Sequence, residues 1–222
     1  MMPDRATAAE WIRDAAASRW DAALADRGGF TRPASSATYT RKISDAGRQR
    51  IHLDLIVRPP YGPDSFHLSP RGSIAFPEMA KIGAEMLGPH ASGYGKSGTV
   101  AVVPLELIAP DSPMILFASA EELKRFAPDI EKYLVDAMVP YLDQRASVAA
   151  LTAAYSREWA ASGAAPGDIG RLPVFVAAGH LAIGDAQQAL RTLETAYPEG
   201  TRAREHYADA FAVVEAAVRK VV

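Results

Sequence analysis

Gln49-Arg50-Ile51-His52-Leu53-Asp54-Leu55-Ile56-Val57 decides the fold class. Ile51, Leu53 and Leu55 alternate with Arg50, His52 and Asp54, and a period of two marks a strand with one buried and one wetted face. Upstream, Ala37-Thr-Tyr-Thr-Arg-Lys-Ile43 reads as a second strand, with Asp45-Ala46-Gly47-Arg48 as the turn between them. Gly47 is expected to supply the backbone freedom of a tight hairpin. Downstream, Pro59-Pro60-Tyr61-Gly62-Pro63 must be a loop, because proline cannot donate to a ladder. Phe66 to Phe76 predicts a third extended segment, interrupted near Pro70-Arg71-Gly72. Pro77 to Leu87 predicts a short helix with proline in its first turn, where the missing N–H costs little. Thr99 to Ile108 and Met114 to Ala118 complete the sheet.

Outside this region the period is helical. Between residues 5 and 27, Trp11, Ile12, Ala15, Trp20, Ala23 and Leu24 recur at helical spacing, and Gly28-Gly29 stops the run. Trp11 and Trp20 are expected to anchor the core. Ser119-Ala-Glu-Glu122 has capping-box spacing and predicts a helix start. Pro128 is expected to restart the pattern and Pro140 to kink or break it. Ser147 to Ala161 predicts a further helix, and the small residues of Ser162 to Gly167 a connector. A last helix is expected from Thr201 to Val222. The fold class is α+β: an antiparallel sheet of about five strands backed by helices, with a C-terminal all-helical extension. The expected division is 1–146 for the α+β part and 147–222 for helices packed on it as one compact unit.

Val176-Ala-Ala-Gly-His180-Leu-Ala-Ile-Gly184-Asp185, followed by Ala189, Leu193 and Ala196, resembles a single tetratricopeptide hairpin. A repeat array needs about three copies to bury a continuous core; one is found, so the resemblance implies a helical hairpin and no array. The order of helix, Gly29-Phe30, a strand with Tyr39 and Arg41, meander, short helix, strands and long helix resembles small bacterial α+β domains of unknown function, some of them immunity-protein-like. That resemblance implies architecture alone.

Composition narrows the chemistry. The chain of 222 residues is long enough to bury a core, and its net charge of −2 argues against a strongly cationic nucleic-acid binder. Without cysteine there is no disulfide, zinc–thiolate site, iron–sulfur cluster or cysteine nucleophile. No apolar run reaches the roughly 18 residues of a membrane span. Met1 to Arg5 leads into an amphipathic pattern without the apolar stretch of a secretory signal, so a cytoplasmic location is expected.

Gly93-Tyr94-Gly95-Lys96-Ser97 ends like a phosphate-binding P-loop, yet His90 occupies the position of the upstream glycine. A helix precedes the segment and a strand follows, the reverse of what phosphate binding needs. It is read as a glycine-rich loop, Gly88 to Gly98, with His90, Tyr94 and Lys96 as its functional candidates. The five histidines show no HxH, HxxxH or HExxH spacing, and there is no GxSxG elbow. No catalytic residue, cofactor or metal is assigned. His180, in an apolar helix, is expected to be a hydrogen-bonded packing residue.

One asymmetry points to a surface. Between Ser36 and Ala75, six bases (Arg41, Lys42, Arg48, Arg50, Arg58, Arg71) outnumber three acids (Asp45, Asp54, Asp64). Alternation groups Arg50, His52 and Asp54 on the wetted face, and Tyr39 and Arg41 join them if the hairpin register brings them there. An acidic protein or an anionic small molecule suits such a face better than nucleic acid, and a homo-oligomer is left open. The expected function is a non-catalytic interaction or regulatory module. The alternative is a small-molecule-binding protein or enzyme with its pocket between the sheet and the Gly88–Gly98 loop.

Overall fold

In the computed structural model the described residues are 4–57, 65–91 and 97–221. The predicted loop around residues 59–63 lies outside them. In chain order, α1 (Arg5–Ala15) passes through a π-helical turn (Ala16–Trp20) into α2 (Asp21–Gly28). Then come β1 (Thr38–Lys42), β2 (Arg48–Val57), β3 (Phe66–Ala75), α3 (Pro77–Leu87), β4 (Thr99–Pro104), α4 (Leu105–Ile108) and β5 (Ile115–Phe117). The remainder is helical: α5 (Ala120–Tyr133), a second π-helical turn (Leu134–Met138), α6 (Val139–Asp143), α7 (Val148–Ala161), α8 (Leu172–Ala182), α9 (Ala186–Ala196), α10 (Arg202–His206) and α11 (Ala208–Val221). The chain separates into two compact units.

The first unit comprises residues 1–42, 48–74 and 101–143. Its sheet has the order β1-β2-β3-β4, and β5 pairs antiparallel with the start of β3, Phe66 opposite Phe117. The expected α+β class with a five-stranded antiparallel sheet is what the structure shows. Helix α1 packs on α5 and on β2, enclosing Ile12, Trp20, Tyr39, Ile51, Phe66 and Ile130. Trp20 is fully buried and its indole N–H donates to the Ala127 carbonyl at 3.0 Å. Trp11 is half-buried, its ring tilted against Phe117, so of the two expected anchors Trp20 carries more of the burial.

Three expectations, two of them about proline, are corrected in this unit. Strand β3 runs unbroken through Pro70-Arg71-Gly72. Pro70 falls two residues beyond Leu68, the last residue paired with β5. Pro128 lies inside α5 rather than restarting a helix. The extended segment expected from Thr99 to Ile108 ends at Pro104, which caps the helical turn α4. Pro140 meets its expectation differently: the widened π turn at Leu134–Met138 precedes it and opens the hydrogen-bond ladder that a proline ring would strike. Ser119 caps α5 as expected, accepting from the Glu122 N–H, while Glu122 accepts from the Ala118 N–H.

The second unit comprises residues 43–47, 75–100 and 144–222. Helix α8 lies at its centre against α3, α7, α9 and α11, and its Val174, Val176, Ala177 and Ala178 are buried. A helix apolar on every side must be enclosed, and this one is. Gly179 permits a close approach of α7: a Cβ there would fall 1.9 Å from the Thr152 Oγ1. Gly184, at φ 84°, and Asp185, whose side chain accepts from the Gln188 N–H, turn α8 into α9 as the expected hairpin. The final helix is broken at Tyr207, between α10 and α11, and the Tyr207 ring packs on Tyr197 at 4.8 Å.

The hairpin loop corrects the sequence reading. Positive φ falls on Asp45 (56°) and Ala46 (53°) and not on Gly47. Gly47 is needed for space, since a Cβ there would lie 2.4 Å from the buried Phe76 ring. The loop is held from α7: the Asp45 carboxylate accepts from the Val148 N–H at 2.9 Å, and Ser44 Oγ donates to the Ala146 carbonyl at 2.9 Å.

Candidate functional site

Register builds the site. Thr38 pairs with His52, Thr40 with Arg50 and Lys42 with Arg48, while Tyr39 pairs with Ile51 and Arg41 with Gln49. Directly paired residues point to the same side. One face therefore carries Thr38, Thr40 and Lys42 with Arg48, Arg50, His52 and Asp54, and β3 adds Arg71 and Ser73 through its contacts with Asp54 and His52. Arg48, Lys42 and Arg71 are exposed, and Arg50, His52 and Asp54 are half-buried.

Tyr39 and Arg41 lie on the opposite, core-facing side, so their membership of the candidate face is corrected. Tyr39 is fully buried and its hydroxyl donates to Asp21 at 2.8 Å. Asp21 also holds Arg32 through Nε at 2.7 Å and Nη2 at 3.1 Å. The Arg32 side chain, 2% exposed, donates besides to the carbonyls of Arg13 and of Pro33, Ala34 and Ser36, tying the segment before β1 to the first helix. Burial, then the Asp21 carboxylate, pushes the Tyr39 phenol far above its ordinary range. Arg41 donates to Gln49 Oε1 (2.7 Å), the Gly28 carbonyl (2.8 Å) and Asp143 (2.5 Å), and lies 4.4 Å over the Phe30 ring. With each guanidinium nitrogen of Arg41 in a hydrogen bond and the Tyr39 hydroxyl committed to Asp21, both side chains serve the fold.

On the wetted face, His52 Nε2 is 2.9 Å from Ser73 Oγ and Nδ1 is 3.3 Å from Thr38 Oγ1. Asp54 is taken by Arg71 in an ion pair. Burial, and then the charges of Arg71 and Arg50 against that of Asp54, hold the His52 imidazole below its ordinary value. A serine hydroxyl on an imidazole is the beginning of a nucleophile–base pair. Here Nδ1 meets a hydroxyl where a triad has a carboxylate, and β2 and β3 are interior strands whose amides point at neighbouring strands rather than out of the face. The arrangement makes a polar ladder flanked by cations.

Of the loop candidates, His90 belongs to the second unit, in a single 3₁₀ turn (Gly88–His90), stacked on His206 at 3.9 Å. Tyr94, Lys96 and most of the P-loop-like segment fall outside the described residues. His180 departs from expectation: Nδ1 is buried with no hydrogen-bond partner among the described residues, and burial lowers its pKa. Among the described residues no three His, Asp or Glu side chains converge as metal ligands, and no helix is long and apolar enough to cross a membrane. Sequence reasoning missed Lys42, Arg48, Arg71 and Ser73 as members of the face, because naming them requires the strand pairing. No family model, curated protein or solved structure matches this chain.

Proposed function

We propose that the chain is a non-catalytic interaction protein that docks an acidic protein on the wetted face of its sheet. The observation that carries this reading is the direct cross-strand pairing of Lys42 with Arg48, with Arg50 diagonal to Lys42 and two residues along β2 from Arg48. None of the three makes an ion pair among the described residues. Like charges directly opposite each other destabilise a sheet, by a few tenths to about 1 kcal/mol. Carboxylates of a partner would relieve that repulsion. Asp54, the acid among them, is neutralised by Arg71. The alternative pocket beneath the Gly88–Gly98 loop involves residues 92–96, outside the described residues.

The test uses a ten-residue poly-glutamate peptide as probe, with a poly-lysine peptide and a short DNA duplex as controls. Binding to poly-glutamate alone is expected, weakening with added salt and at least tenfold weaker in Arg48→Glu/Arg50→Glu, whose melting temperature should be no lower than the parent's because Arg48→Glu sets a carboxylate opposite Lys42. Binding indifferent to that double substitution overturns the reading, as does preference for the duplex.

A further inference from the structure

The helical unit contains a cavity of about 230 Å³. Trp159 near the end of α7, Leu172 and Pro173 at the start of α8 and Tyr197 after α9 supply its apolar walls. The Tyr197 hydroxyl is committed to the Gly170 carbonyl, so its contribution to the cavity is the ring. Two charged side chains line the cavity, Asp168 and Arg171, both exposed. Asp168 accepts from the Ala165 N–H at 2.8 Å, whereas Arg171 has no partner among the described residues.

Tyr197 also connects the cavity to a cluster of histidine and arginine side chains. Tyr207 packs on Tyr197 at 4.8 Å, His206 stands edge-on to Tyr207 at 4.7 Å, and His90 stacks on His206. Arg202 precedes His206 by four residues on α10 and so shares its side of that helix. Desolvation, then the charges of His90, Arg202 and Arg171, hold the His206 imidazole below its ordinary value. Asp209, three residues beyond His206, lies against the backbone at Gly88. Arg171 and Arg202, neither in an ion pair among the described residues, stand beside an apolar cavity and suit an anion with an apolar body.

We propose that this part of the helical unit binds a small aromatic oxyanion: one ring enters the cavity between Trp159 and Tyr197, and its anionic group is held by Arg171, with His206 and Arg202 behind it. Size supports a single ring, because a cavity of about 150 Å³ already holds benzene. The site shares no residue with the sheet face, so either reading can fail alone.

The experiment titrates the whole chain with benzenesulfonate, whose charge is fixed, against benzyl alcohol (ring without charge) and sulfate (charge without ring), following binding by calorimetry. Benzenesulfonate is expected to bind at least tenfold more tightly than either control, and more tightly still as pH falls below the ordinary histidine range and His206 protonates. Arg171→Gln is expected to remove at least tenfold of that affinity at unchanged melting temperature, and Trp159→Ala to remove ring recognition. Benzoate and phenyl phosphate in parallel tell a carboxylate from a phosphate ligand. Equal binding of benzyl alcohol, full affinity in Arg171→Gln, or no benzenesulfonate binding at 10 mM each overturns the proposal.

Discussion

Replacing Gly47 by alanine and Ala46 by glycine separates two roles that the sequence places on one residue. Ala46 has φ 53°, and a left-handed conformation costs an L-residue about 1–2 kcal/mol. Glycine removes that cost and adds about 0.5–1 kcal/mol of lost chain entropy. Ala46→Gly is therefore expected to stabilise by about 0.5–1 kcal/mol. Gly47 has no positive φ, but an added Cβ would lie 2.4 Å and 2.7 Å from Phe76 ring carbons and 2.8 Å from Ile43 Cγ1. Phe76 is 1% exposed and has no free direction to yield, so Gly47→Ala is expected to cost about 2–3 kcal/mol, the upper part of the overpacking range. At this chain length about 1 kcal/mol moves the melting temperature by roughly 2–4 °C. Circular-dichroism melts should show Gly47→Ala about 4–12 °C lower and Ala46→Gly about 1–4 °C higher. A neutral Gly47→Ala, or a destabilising Ala46→Gly, would refute the assignment of strain to Ala46 and of crowding to Gly47.

Two further outcomes follow from the polar groups. Tyr39→Phe removes a buried hydrogen bond to a carboxylate that keeps Arg32, so denaturant titration should show a loss of about 1.5 kcal/mol; poly-glutamate affinity should stay within about twofold, because Tyr39 lies on the other side of the sheet. Burial holds His180 and His52 below the ordinary value of 6.5. The unfolded chain then binds protons that the folded chain refuses, so stability is full above pH 6.5 and falls as pH drops through the lower folded values. Urea midpoints at pH 7.5 and 5.5 should show this fall, and His180→Leu should flatten it; an unchanged slope in that variant counts against a neutral buried His180.

Local signals carried far in the amino-acid sequence. The alternation of β2, the Ser119 cap, the Gly184-Asp185 turn and the bounds of α3 depend on neighbours within a few residues, and each stands where the spacing puts it. The breaks assigned to Pro70 and Pro128 did not survive, because a proline's cost depends on whether a partner needs its N–H or its space. Pro70 lies beyond the stretch of β3 paired with β5; at Pro128 the helix continues on both sides. The break at Tyr207 had no local signal; there the Tyr207 ring packs on Tyr197, ten residues upstream beyond α9.

The candidate face turned on a single residue of loop length. Local alternation is enough to make β1 and β2 a hairpin and to put Arg50, His52 and Asp54 on its polar side. A two-residue turn would have paired odd with even positions and carried Tyr39 and Arg41 to that same side. The structure closes the loop over Ser44-Asp45-Ala46, with the Ile43 N–H donating to the Gly47 carbonyl at 3.1 Å, and pairs Tyr39 with Ile51. Side chains alternate with period two, so one residue of slip exchanges the faces of an entire strand. What sets the loop is distant in sequence: the Phe76 ring fills the place of a Gly47 side chain, and α7 draws in the Asp45 carboxylate as a helix cap. Composition and periodicity are blind to those contacts, and they decided which cations meet solvent together.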